Sequence, residues 1–111
     1  MNTPERLTLL ITAFNEQEAL PQLHPRLCAQ LQALEGDVDG RILYVDDGSS
    51  DATWAVMQQL AAQESRVSAL RLSRNFGKEA ALTAGLDFVE EGAVILLDAD
   101  GQDPPEMIPQ F

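Results

Sequence analysis

Apolar residues along this chain alternate between two periods from one end to the other. Leu7 to Phe14, LTLLITAF, is nearly continuous in apolar residues and predicts a strand covered on both faces, central in its sheet. Leu20, Leu23, Leu27, Leu31 and Leu34 then recur at helical spacing. Asn15 with Glu18 three residues on fits a cap pair for that helix, while Pro21 and Pro25 predict a kink or a late start. Gly36 to Gly40 reads as a turn into a second strand, Arg41 to Val45, followed by a tight turn at Gly48. Ser50 or Asp51 caps the next helix, with Trp54, Met57, Leu60 and Ala61 inward. Val67 to Leu72, VSALRL, alternates as an edge strand should. Ala81, Ala84, Gly85, Phe88 and Val89 mark the inner face of a third helix, whose small residues allow close approach to the sheet. Ala93 to Leu97 predicts a fourth strand, buried on both faces. Asp103-Pro104-Pro105-Glu106 then reads as a helix start, Asp103 as N-cap and Glu106 closing a capping box.

Strand and helix in strict alternation imply a parallel sheet with right-handed crossovers. With the alternating third strand at an edge, the simplest order is 3-2-1-4. Both the second and fourth strands run into carboxylates, so Asp46, Asp47, Asp98 and Asp100 gather along one rim. In such sheets that carboxyl-terminal rim is where ligands bind. Asp98 and Asp100 are two apart and share a face in extended backbone. So close a pair repels unless a cation or a shared proton intervenes, and hard oxygen donors suit Mg²⁺ or Mn²⁺. A calcium loop over DADGQD is excluded, because its sixth and twelfth positions need Gly and Glu where this chain has Asp103 and Pro109. Arg74 and Lys78 stand near a helix N-terminus, which suits phosphate, although solvated surface bases would look the same. His24 reads as a surface residue and Cys28 as packing beside the leucine stripe.

Charge narrows the partners. Eighteen acids against seven bases give a net charge of −11, which argues against nucleic acid or an anionic membrane as a direct partner of these residues. The 111 residues suffice for one small domain. A single cysteine, Cys28, allows no internal disulfide and suits a reducing compartment. No apolar run approaches the roughly 20 residues of a membrane-spanning helix, and no signal-peptide pattern opens the chain. The expectation is a soluble, cytoplasmic segment. The last residue, Phe111, follows Pro104 by barely a helical turn, so the chain reads as the N-terminal part of a longer domain.

Four motifs, TAFNE, VDDGSSD, LSRNFGKEAALTAGLD and LLDADGQDPPE, occur in this order. Together they resemble the nucleotide-sugar-binding half of a family 2 glycosyltransferase, in the polyprenyl-phosphate branch, with RNFGKE most like the bactoprenol glucosyl transferase type. The resemblance covers nearly the whole chain. It implies a Rossmann-like GT-A half-domain and a nucleotide-sugar-binding set of Thr12, Phe14, Glu16, Asp46, Asp47, Lys78, Asp98, Ala99 and Asp100. Within that set, Phe14 and Glu16 would contact the nucleotide and Asp46 would hydrogen-bond the base, with Asp47 alongside. Asp98 and Asp100 would hold a divalent metal, with Gln102 as a further ligand. No catalytic residue is assigned. Thr12 stands where the family usually has Pro, and Gly101 where it usually has Leu. The first change loosens the expected nucleotide contact; the second adjoins the metal position.

The activity so implied is metal-dependent, inverting transfer of a hexose from a nucleotide diphosphate sugar, UDP-linked in preference, to a polyprenyl phosphate. It would take place at the cytoplasmic side of a membrane in the full-length protein, where a homo-oligomer is compatible. These residues alone are expected to bind without turnover. Two other readings share parts of the pattern. A receiver-type phosphoacceptor domain has a similar acidic pair and acceptor aspartate, but here a whole β-α unit precedes the pair and the later Thr and Lys strands are absent. A nucleotide-binding domain without catalysis is the other.

Overall fold

A computed structural model of the chain describes residues 4–100, together with Pro105 and Glu106. Seven elements follow in strict alternation: β1 (Glu5–Ala13), α1 (Leu20–Ala33), β2 (Val38–Asp46), α2 (Thr53–Gln63), β3 (Val67–Arg71), α3 (Lys78–Phe88) and β4 (Ala93–Asp98). The strands form one parallel sheet in the order β3-β2-β1-β4, as the patterning predicts. β1 is central, and Leu9, Leu10 and Ile11 are wholly excluded from solvent.

Successive β1 side chains serve opposite layers, as the pleat requires. Leu7, Leu9 and Ile11 join Ile42, Tyr44, Met57 and the α1 leucines Leu20, Leu23, Leu27 and Leu31 in the larger core. Leu10 faces the other way, with Leu43, Val45 and Ala81 of α3. Among the described residues two helices therefore cover one face and a single helix covers the other.

That asymmetry corrects two expectations. α3 leads from the β3 edge to the β4 edge and packs over β2 and β1 on the way. It leaves Leu96 of β4 46% exposed while Val94 on the same face is only partly buried, so among the described residues β4 is an edge strand with one face incompletely covered. Phe88, expected inward, ends α3 and is 49% exposed.

The first helix differs as well. α1 starts late, with Ala19 as N-cap, Pro21 in its first turn and no side-chain cap. Asn15 does not cap it. This residue sits at φ +54°, a left-handed conformation that Asn tolerates, and its side chain bonds elsewhere. His24, expected at the surface, is buried, with Nδ1 2.6 Å from the Tyr44 hydroxyl. β2 begins three residues early, because Val38 to Gly40 enter the ladder opposite Glu5 to Leu7. The cap expected at Asp103 lies outside the described residues; Glu106 itself meets Arg26, Nη2 to Oε1 at 2.5 Å.

Gly85 sets how closely α3 approaches the sheet. A Cβ there would lie 2.2 Å from Leu10 Cδ1 and 3.1 Å from Val45 Cγ2, both side chains belonging to the buried layer. Alanine improves helix propensity by about 1 kcal/mol, whereas overpacking a filled core costs about 1–3 kcal/mol. Gly85→Ala is therefore expected to destabilise the fold by about 1 kcal/mol, read by urea unfolding. A variant as stable as the parent would mean that the α3 layer yields freely.

Candidate functional site

The site is built from the register of β1 with its two neighbours. Thr12 pairs with Asp98 across one ladder, and Ala13 pairs with Asp46 across the other. The ladders run just past the strands, with Asp47 N–H donating to the Ala13 carbonyl at 2.9 Å and Ala99 N–H to that of Thr12 at 3.1 Å. Three chain segments far apart in sequence so end side by side at one rim.

Side-chain hydrogen bonds then tie the rim loops together. Asn15 Oδ1 accepts from Ser50 N–H at 2.9 Å and from Asp51 N–H at 3.3 Å. Asn15 N–H donates to Ser49 Oγ, and Glu16 N–H to Thr53 Oγ1, both at 2.8 Å. The loop after β1 is thus stitched to the loop after β2. Asp47 repeats the device on the next loop: its Oδ1 accepts from Phe76 N–H at 2.9 Å and Gly77 N–H at 3.3 Å, and Asn75 Nδ2 donates to Oδ2 at 3.2 Å. Gly48 permits the contact. It sits at φ +70°, and a Cβ there would lie 2.1 Å from the Arg74 carbonyl carbon.

Thr12, Ala13, Phe14, Glu16, Asp47, Lys78, Asp98, Ala99 and Asp100 line one cleft of about 140 Å³. Eight of the nine residues implied as a sugar-nucleotide set are therefore adjacent, and only Asp46 stands behind the wall. Asp46 is fully buried; its Oδ1 accepts from Ser49 N–H at 3.0 Å and its Oδ2 faces Arg71 Nε at 3.6 Å. Lys78 Nζ forms an ion pair with Asp98 Oδ2, and Thr12 Oγ1 donates to Asp98 Oδ1 at 3.2 Å. The threonine that departs from the expected Pro so supplies a hydroxyl to the same aspartate. Arg74 lies over the Phe76 ring at 4.7 Å, outside the cleft lining. α2 has Ala52 as N-cap and no side-chain cap, so neither Ser50 nor Asp51 takes the capping place expected. Asp51 Oδ1 instead accepts from Thr53 N–H at 2.9 Å from just outside the helix. Gln102 lies outside the described residues.

Sequence reasoning did not single out Ser49, Thr53 or Asn75, and it read Asn15 only as a helix cap. One signal existed, an Asn directly after a buried strand, since Asn is the non-glycine residue that accepts a left-handed turn with local hydrogen bonds.

A model of the family described as Glycosyl transferase family 2 matches residues 8–111. The chain belongs to that family. This family 2 chain is 42% identical to an undecaprenyl-phosphate 4-deoxy-4-formamido-L-arabinose transferase of Sodalis glossinidius, over all of its own length and 35% of the relative's. It is 41% identical to a bactoprenol glucosyl transferase of Shigella phage SfV, over 96% of this chain and 34% of that one. The chain thus spans about a third of the length of these curated relatives. Among solved structures it resembles a mannosyltransferase from Pyrobaculum calidifontis in complex with GDP-Man and Mn²⁺, with a TM-score of 0.75, 20% identity and coverage of 89% of this chain and 28% of that one. Staphylococcus aureus TarS in complex with UDP-GlcNAc gives a TM-score of 0.65 at 18% identity, covering 86% of this chain and 26% of the other. The fold is accordingly that of part of a GT-A domain, and membership of the family removes the receiver-type alternative.

Carboxylates dominate the cleft. Burial raises the Glu16 pKa, and the neighbouring carboxylates of Asp100 and Asp51 raise it further. Folding therefore favours protonated Glu16, a stabilisation present in acid and lost as pH rises through the folded-state pKa. Glu16→Gln is expected to raise the melting temperature near neutral pH. That gain should vanish as pH falls below about 4.3, the ordinary Glu value. Thermal melts across this range check the sign; a gain unchanged by pH would exclude charge crowding at Glu16.

Proposed function

We propose that the chain is the N-terminal nucleotide-sugar-binding part of a glycosyltransferase that moves a hexose from a UDP-sugar to a polyprenyl phosphate, with inversion. The observation that carries the reading is the convergence of Phe14, Glu16, Asp47, Lys78, Asp98 and Asp100 on one cleft at the strand ends. Relatives named as bactoprenol and undecaprenyl-phosphate transferases support the acceptor class. A solved neighbour in complex with GDP-Man and Mn²⁺ supports a nucleotide-sugar donor.

The residues fit a hard divalent cation. Asp98 and Asp100 line the cleft as oxygen donors, and Asp100 lies close enough to Glu16 to raise its pKa further after burial has done so. Asp98 and Asp100, with Gln102, would hold Mg²⁺ or Mn²⁺, which when bound stabilises charge developing on a diphosphate leaving group.

The other roles belong to the chain's own groups. Lys78 opens α3 and already meets Asp98, so it stands where a diphosphate would lie against both a cation and a helix N-terminus. Thr12 orients Asp98 through its hydroxyl. Phe14 is 44% exposed at the mouth and offers a face to a nucleobase. Asp46 sits behind the rim and shapes the β2 turn that a base would contact. An ionised lipid phosphate requires little help from a general base, which accords with the lack of an assigned one here. Back-side attack then inverts the anomeric centre. In this reading the full-length protein works at the cytoplasmic face of the membrane that holds its acceptor; among the described residues no helix is long and apolar enough to cross one.

Calorimetric titration with UDP-glucose, with Mn²⁺ or with EDTA, tests the reading. Binding is expected to be at least about tenfold tighter with Mn²⁺, a difference of about 1.4 kcal/mol. Asp98→Asn should abolish the metal-dependent part. Equal affinity with Mn²⁺ and with EDTA would sink the proposal.

A further inference from the structure

Where α1 and the end of α2 meet over β2 lies a second group of metal-capable side chains, none of which lines the cleft. His24 and Cys28 stand one turn apart on α1, and Glu64 follows the last residue of α2. His24 Nε2 is 3.4 Å from Cys28 Sγ, Cys28 Sγ is 3.7 Å from Glu64 Oε1, and His24 Nε2 is 3.9 Å from that same oxygen.

We propose that His24 Nε2, Cys28 Sγ and Glu64 Oε1 form a binding site for one Zn²⁺ ion, separate from the carboxylate cleft. The distances carry the argument. Tetrahedral zinc with bonds of about 2.3 Å to sulfur and about 2.0–2.2 Å to nitrogen and oxygen sets its ligand atoms roughly 3.3–3.6 Å apart. The three atoms already stand within about half an ångström of that triangle.

Neighbouring contacts orient each donor. Nδ1 of His24 is held 2.6 Å from the buried Tyr44 hydroxyl, which leaves Nε2 to face the thiol. A hydrogen bond on the remote ring nitrogen is the usual partner of a metal-bound histidine. Arg66 Nη2 takes Glu64 Oε2 at 3.3 Å, so Oε1 is the oxygen turned toward Cys28. Burial lowers the His24 pKa, against the pull of Glu64, and keeps the imidazole in the neutral form that ligates.

Burial, followed by Glu64, raises the Cys28 pKa. A thiol so held is a poor nucleophile, which disfavours a redox role. Metal binding would release its proton to solvent. Three protein ligands of mixed N, S and O type leave a fourth position for water, and Glu64 and Cys28 are each partly exposed.

Cobalt(II) titration of the full-length protein tests the site, because a cobalt–thiolate charge-transfer band reports Cys28 and nothing in the carboxylate cleft. The band is expected at one equivalent of Co²⁺ and should be displaced by Zn²⁺. Cys28→Ser should abolish it, with an unchanged circular dichroism spectrum. Glu64→Gln, at a partly exposed helix end where folding is not at stake, should weaken affinity at least tenfold. Tyr44→Phe, which removes only the second contact of His24, should weaken it about tenfold. Asp98→Asn should leave the band as it is. Absence of the band in the parent, its survival in Cys28→Ser, or parent affinity in Glu64→Gln would each overturn the proposal.

Discussion

Everything at the rim depends on the register of one central strand. β1 is hydrogen-bonded on both sides, and its last two residues face Asp98 on one flank and Asp46 on the other. Strand side chains alternate with period two, so a slip of one residue would turn Thr12 and Ala13 to opposite layers and undo the core of Leu9, Leu10 and Ile11 at once. The apolar packing of β1 therefore fixes the position of polar groups that contribute nothing to that packing.

Backbone position alone would not hold four acidic side chains in one cleft. The loops after β1, β2 and β3 are short of regular structure, and side-chain acceptors supply what ladders cannot. Asn15 satisfies amides of the second loop, and Asp47 satisfies amides that open α3. Asp47 so anchors the helix whose first residue, Lys78, carries the positive charge nearest Asp98. Fold and charge balance are coupled through a single carboxylate.

Much of this was legible in the residues. Strand order follows from which apolar runs are continuous and which alternate, and the acidic rim follows from where those runs end. What escaped depends on how many helices cover each face. Phe88 and Leu96 look like core residues by spacing, yet one helix cannot roof four strands, so both are left at its margin. His24 has the opposite history. Between two prolines it reads as surface, but α1 lays that face on β2, where the Tyr44 hydroxyl receives it. Asn15 misled for a third reason: its spacing to Glu18 suits a helix cap, while the glycine-like turn it adopts is invisible to spacing. The cleft itself was read from motif resemblance, and its neighbours in space were placed by the fold.

The pairing of β1 with β4 also sets an order of events at birth. Thr12 meets Asp98 across 86 residues of chain, so the second edge of the most buried strand stays open until the last described strand has emerged from the ribosome. At about 5–20 residues per second, the stretch between β2 and β4 takes a few seconds to appear. Over that interval β1 and β2 present a bare, Leu-rich edge, the kind of surface that recruits other chains. A nascent protein of this design is most exposed to misassembly before its acidic cleft exists, and protection by a holding chaperone would matter most in that window.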